Sequence, residues 1–219
     1  MCFNAPISWM TLIIGTIFNI FNIFYFNNAT ITATSLLWQW VLLMQLFDAI
    51  GWMNQPAGGP GSNNCNSTNK FVANGAFLAN VTQPIVLALL FFALQGDLIS
   101  QENKILAASV TLIYTLWLVY SSNQIDEVNC LRPNTGCSNL AYSWWEQFPG
   151  SASMYMLALV LLILLLARPM KFALMQLTYI TLTFIISSYV YKCGGVPSVW
   201  CALAGLAPVL VGPMWYLSQ

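Results

Sequence analysis

The chain has 219 residues, of which 58 % are hydrophobic and only 5 % charged, and its mean hydropathy is +0.70. A soluble domain carries about 25 % charged residues, so this chain lacks the polar surface that water requires and suits a solvent as apolar as leucine. Six basic and six acidic residues cancel and histidine is absent, which excludes a basic nucleic-acid footprint and every catalytic or metal arrangement built on imidazole.

A helix needs about 20 apolar residues to cross the hydrocarbon core, and seven stretches approach that length. The first covers 7–26; a signal peptide is the alternative there, but no basic segment precedes it. The second covers 33–53, after the short connection NNATIT. A Gly-, Pro- and Asn-rich loop leads to the third at 71–94, where Pro84 is expected to kink the helix. Polar QGDLISQENK precedes the fourth at 105–121, and residues 122–150 form the longest loop. The fifth at 151–167 and the sixth at 172–191 flank the hairpin ARPMK, and the seventh covers 197–217. The fourth and fifth are the shortest, so six crossings are the alternative count. Barrel strands would alternate over about 10 residues, and these runs are continuous. The expected fold is an all-α membrane protein, a seven-transmembrane-helix bundle forming one domain over 1–219.

Seven crossings place the termini on opposite sides of the bilayer. Lys70, Arg132 and Lys192 fall on the amino-terminal side, and Lys104, Arg168 and Lys171 on the other, so the positive-inside count is a tie. Cys2, Cys65, Cys130, Cys137 and Cys193 lie on the amino-terminal side, with Cys201 a turn inside it. Disulfides persist in oxidising compartments, which favours the amino terminus outside and the carboxyl terminus inside. Cys130 and Cys137 bracket a Pro-Asn-Thr-Gly turn and are the expected disulfide pair; free thiols are the alternative. Asn28-Ala29-Thr30 and Asn66-Ser67-Thr68 fit the N-glycosylation pattern on opposite sides.

Asp48 is the one charged residue well inside an apolar run, and intramembrane ionisable groups point to function by default. Gln45, Asp48 and Trp52 share one helix face. Asn80 and Gln83 in the third segment are the candidates to meet them in a cavity for a small ligand or ion. A buried carboxyl has a raised pKa, so proton handling is one use of Asp48. Thr11, Gly15, Asn19 and Asn22 form a further stripe, as do Gln176, Tyr179, Thr183 and Ser187, and Cys201, Gly205, Pro208 and Gly212. All are expected to face the bundle interior. The plainer reading of them is interhelical hydrogen bonding, worth about 0.6 kcal/mol per contact. Removal of Met1 would leave Cys2 as a terminal thiol at the depth of Asp48, a possible N-terminal site. With no basic neighbour to lower its pKa, packing or a disulfide explains Cys2 better than thiol catalysis. Trp38, Trp40, Tyr142, Trp144 and Trp145 read as interfacial aromatic belts.

The opening Met1-Cys2-Phe3-Asn4 before an apolar helix resembles a family of multi-pass proteins encoded by large DNA viruses, as does Gln45-x-x-Asp48-x-x-x-Trp52. An acidic Glu is more usual there at the Asp48 position. Trp38-Gln39-Trp40 and Gln83-Pro84 add to the likeness. The resemblance implies a seven-helix bundle in a viral or host-cell membrane and implies no activity. Retinal proteins share the helix count, but the seventh segment has no lysine for a Schiff base. The expectation is a non-enzymatic membrane protein whose partners are the lipid bilayer and a small molecule or ion, without cofactor, metal or nucleic acid. An ion or proton channel or transporter using Asp48, and a membrane enzyme using Cys2 or Asp48, are the alternatives.

Overall fold

The computed structural model describes residues 4–55, 66–123, 132–133, 140–141, 151–190, 200 and 203–219. Helix α1 is Ala5–Phe26, α2 is Ala29–Met53, α3 is Ser67–Val81 and α4 is Gln83–Gln95. A 3₁₀ turn, Gly96–Leu98, leads to α5, Gln101–Ser122; then come α6, Ser151–Leu166, α7, Met170–Val190, and α8, Ala207–Ser218. Within the long loop, β1 (Arg132–Pro133) pairs antiparallel with β2 (Leu140–Ala141). Cys2, Cys130 and Cys137 lie outside the described residues.

Helix starts are set by short polar side chains that accept from otherwise unbonded N–H groups of the first turn. Asn4 Oδ1 accepts from Ile7 N at 2.9 Å, Asn28 Oδ1 from Thr30 N at 2.9 Å, and Asn66 Oδ1 from Asn69 N at 2.8 Å. The asparagines of both glycosylation patterns are therefore helix caps, which gives each a local reason to be there. Asn27 ends α1 at φ 44°, the left-handed region that asparagine tolerates. The chain thus reverses within two residues, and α1 lies against α2.

The polarity of α1 is inverted relative to a soluble helix. Its buried residues are Ser8, Thr11, Gly15, Asn19 and Asn22, while Met10, Ile13, Ile17, Ile20 and Phe24 are exposed. In α5 only Ala107, Tyr114 and Ser121 are buried, and Leu112, Ile113 and Leu116 are exposed. Such apolar outer faces are compatible with a lipid surround. Helices α1, α2, α5 and α7 are long and apolar enough to cross a bilayer. The pair α3–α4 would be a fifth crossing, bent by 55°. Apolar α6, with 16 residues, is ~24 Å long at 1.5 Å per residue, short of the ~30 Å core.

The third expected crossing bends where a kink at Pro84 was expected, and the bend divides it into two helices, α3 and α4. The bend falls at Thr82, beside Pro84, whose ring denies α4 an N–H and obstructs continuation of the preceding turn. Backbone freed inside a membrane must find other partners. Tyr114 on α5 donates to the Val81 carbonyl at 2.8 Å, and the Thr82 hydroxyl donates to the Leu78 carbonyl at 2.6 Å. Trp40 Nε1 donates to Thr82 Oγ1 at 3.2 Å, binding α2 to the same break.

The seventh expected crossing is also interrupted, between Ala204 and α8, where Leu206 N turns back to the Leu203 carbonyl at 3.0 Å. The Tyr179 hydroxyl on α7 donates to that same carbonyl. Close approach fixes α1 here: a Cβ on Gly15 would lie 2.6 Å from Leu42 Cδ1 and 2.8 Å from the Gly205 carbonyl oxygen. Asn22 Nδ2 donates to the Pro208 carbonyl at 2.8 Å, joining α1 to α8. Helix α2 is the hub, packed on α1, α3, α4 and α8.

Candidate functional site

Each helix around the bundle centre offers a stripe at helical spacing, and these stripes enclose a cavity. Thr34, Trp38 and Val41 come from α2, and Gln83, Leu87 and Phe91 from α4. Tyr155, Leu159 and Ile163 come from α6, and Phe172, Gln176 and Ile180 from α7. Trp200 and Ala204 close it beside the second helix break. Steps of three or four residues align side chains along one face, so the cavity is elongated along the helices. From Tyr155 to Ile163 it runs ~12 Å at 1.5 Å per residue. Its volume, taken as space open to the centre of a water molecule, is about 40 Å³.

Neutral polar groups border this apolar space. Trp38 Nε1 donates to Gln176 Oε1 at 3.2 Å, and Gln176 Nε2 donates to the Met214 sulfur at 3.0 Å. These bonds tie α2, α7 and α8 together. The Tyr155 hydroxyl donates to Gln83 Oε1, tying α6 to the start of α4. The Trp200 ring stands edge-on to Tyr155, with centroids 6.0 Å apart, and edge-on to Phe184 at 5.7 Å. Trp200 is buried, and its Nε1 has no hydrogen-bond acceptor among the described residues. No charged side chain is among the described residues that line the cavity. Its chemistry is therefore apolar packing, ring contact and hydrogen bonding.

Gln83 alone among the described expected site residues lines this cavity. Gln45 and Asp48 are fully buried and continue the α2 stripe Thr34, Trp38, Val41 by one and two further turns. Trp52, the next residue of that stripe, is half-buried. Asn80 is buried near the end of α3, and its Oδ1 has no hydrogen-bond partner among the described residues. Among the described residues no group of three or more Cys, Asp or Glu is placed to hold a metal.

Trp38 is a correction to the aromatic-belt expectation: it is buried between α2 and α7, where its indole N–H is bonded. Trp40 is half-buried and bonded to the α3–α4 break. Tyr142, Trp144 and Trp145 lie outside the described residues. Sequence reading missed Tyr155, Gln176 and Trp200 as cavity residues, although Gln176 carried a signal as a glutamine in an apolar run. Tyr155 carried only its position among leucines, and Trp200 only its place ahead of Gly205. No family model, curated protein or solved structure matches the chain.

Proposed function

We propose that the chain is a seven-span membrane protein, amino terminus outside, that holds a slender, largely apolar small ligand in the cavity between α2, α4, α6 and α7. The single observation that carries this reading is the cavity itself: an elongated space rimmed by bonded glutamine, tyrosine and tryptophan side chains. A structural bundle has no need of unfilled space, because empty volume forfeits dispersion contacts. The inverted polarity of α1 and α5 supports the membrane setting, and the grouping of cysteines supports the orientation. The opening Met1-Cys2-Phe3-Asn4 and the α2 stripe support a place among multi-pass proteins of large DNA viruses and their host membranes. The test is retention. Protein purified in a lipid nanodisc and extracted with organic solvent should release a small molecule at about one per chain. Ala204→Phe, which fills the cavity, should release none. Equal recovery from the variant would remove the cavity from the account.

The two interrupted helices favour a second reading, an ion or proton transporter, because discontinuous helices line substrate and ion sites in transporter folds. Asp48, buried on the α2 stripe, would be its proton or ion group. Flux in proteoliposomes that disappears in Asp48→Asn would select this reading. Undiminished flux would exclude Asp48 from the path.

A further inference from the structure

The cavity's shape and its unmet hydrogen-bonding capacity together specify a ligand class. The 40 Å³ open to a water centre lies among stripes that run ~12 Å along the helices, which favours a slender ligand that runs with them. The walls are apolar: Leu87, Leu159, Ile163 and Ile180 are aliphatic, and Trp38, Phe91 and Phe172 are aromatic.

At the end beside the second break stand two donors. Gln83 Oε1 accepts from the Tyr155 hydroxyl, which orients the Gln83 amide so that its N–H₂ group is a donor there. Trp200 Nε1, which can only donate, is buried without an acceptor among the described residues. Both residues touch Tyr155, one through its hydroxyl and the other against its ring, so the two donors belong to one neighbourhood. A buried unsatisfied donor is a rare feature that calls for an acceptor. With no cation among the described lining residues, a carboxylate there would be an unpaired buried charge, whereas a neutral carbonyl oxygen carries no such penalty.

Resting on the cavity reading above, we propose that the ligand is a single-chain acyl compound with a neutral carbonyl, such as a fatty ester, amide or ketone. Its oxygen accepts from Trp200 Nε1 and Gln83 Nε2, and its chain lies along α6.

The test uses the full chain in lipid nanodiscs with radiolabelled methyl dodecanoate as the probe, counting only binding displaced by excess unlabelled ester. One site per chain is expected. Dodecane, which has the chain without the carbonyl, should compete at least fivefold more weakly, as should dodecanoate, which carries the charge. Trp200→Phe keeps the ring and removes the donor; it should weaken the ester about fivefold, the worth of one net hydrogen bond, and leave dodecane unchanged. Gln83→Leu should act in the same direction. The ester-to-dodecane ratio is read in the unaltered protein, so the answer does not depend on a variant folding. Equal competition by dodecane and ester would overturn the carbonyl assignment and leave the cavity reading standing. Stronger competition by dodecanoate would also overturn it, in favour of an anionic ligand. Absence of displaceable ester binding would overturn this proposal, and with released ligand also absent, the cavity reading falls too.

Discussion

Tyr114→Phe isolates the support of the bent α3–α4 pair in one oxygen atom. The hydroxyl donates to the Val81 carbonyl at 2.8 Å from a side chain only 2 % exposed. The ring stays, and its tilted contact with Trp117 at 5.6 Å is unaffected. What changes is the carbonyl at the end of α3, since the bend removes it from the regular ladder into α4. Losing a net hydrogen bond costs about 0.5–1.5 kcal/mol, and orphaning a buried acceptor about 1–3. Intramembrane side-chain bonds average about 0.6 and reach about 1.7 kcal/mol, because the unfolded chain in a membrane also finds partners. The expected loss is therefore about 1–2 kcal/mol, near the upper end because the acceptor is backbone. Equilibrium unfolding in mixed micelles, with tryptophan fluorescence as the signal, measures it. Tyr120→Phe is the control: Tyr120 sits on the same helix and is 68 % exposed, so its loss should stay within about 0.5 kcal/mol. Equal effects of the two substitutions would refute the claim that Tyr114 holds the break together.

Other expectations follow from the same geometry. Gly15→Ala should destabilise by about 1–3 kcal/mol, since its Cβ meets the Gly205 carbonyl oxygen at 2.8 Å and backbone cannot swing aside; thermal unfolding in detergent reads this. Trp40→Phe should cost less than Tyr114→Phe in the same unfolding assay, because Thr82 keeps its own bond to Leu78. Leu116→Lys, on the exposed face of α5, should disfavour membrane insertion by about 3–4 kcal/mol on the translocon scale. Unchanged resistance to alkaline extraction would contradict a lipid-facing α5. Asp48→Leu should disturb ligand retention or flux more than folding, and equal stability with unchanged activity would leave Asp48 without a functional role.

The inside of this bundle was legible wherever polarity is confined to one helix face. Thr11, Gly15, Asn19 and Asn22 form such a stripe in sequence, and all four are buried in α1. Gln176, Thr183 and Ser187 behave alike in α7, as do Pro208 and Gly212 in α8. The logic is solvent-independent: a polar side chain in an apolar run turns toward other polar groups. Pro84 marked the first break, because a missing N–H is visible in the letters. The second break was not marked, since Gly205 is compatible with a continuous helix that packs closely. The cavity was legible only at Gln83. Empty space depends on how far apart stripes from several helices are held, and no single helix records that distance. Leu159 on α6 looks like any lipid-facing leucine until α2, α4 and α7 are set around it.

The two breaks and the cavity have a common physical origin. Ending a helix inside a bilayer strands backbone groups, each costing several kcal/mol if unsatisfied, so a break persists only where neighbours supply partners. Here each break recruits a tyrosine hydroxyl from an adjacent helix, Tyr114 to Val81 and Tyr179 to Leu203. Those bonds fix where α4 and α8 begin. Gln83 opens α4, and Ala204 stands just ahead of α8; both line the cavity. A straight third crossing would carry the Gln83 face along a different line and remove the bend that sets α4 beside α6. Pro84, Tyr114 and Tyr155 therefore act as one unit: the proline opens the ladder, one tyrosine satisfies the Val81 carbonyl at the bend, and the other holds the glutamine at the cavity wall.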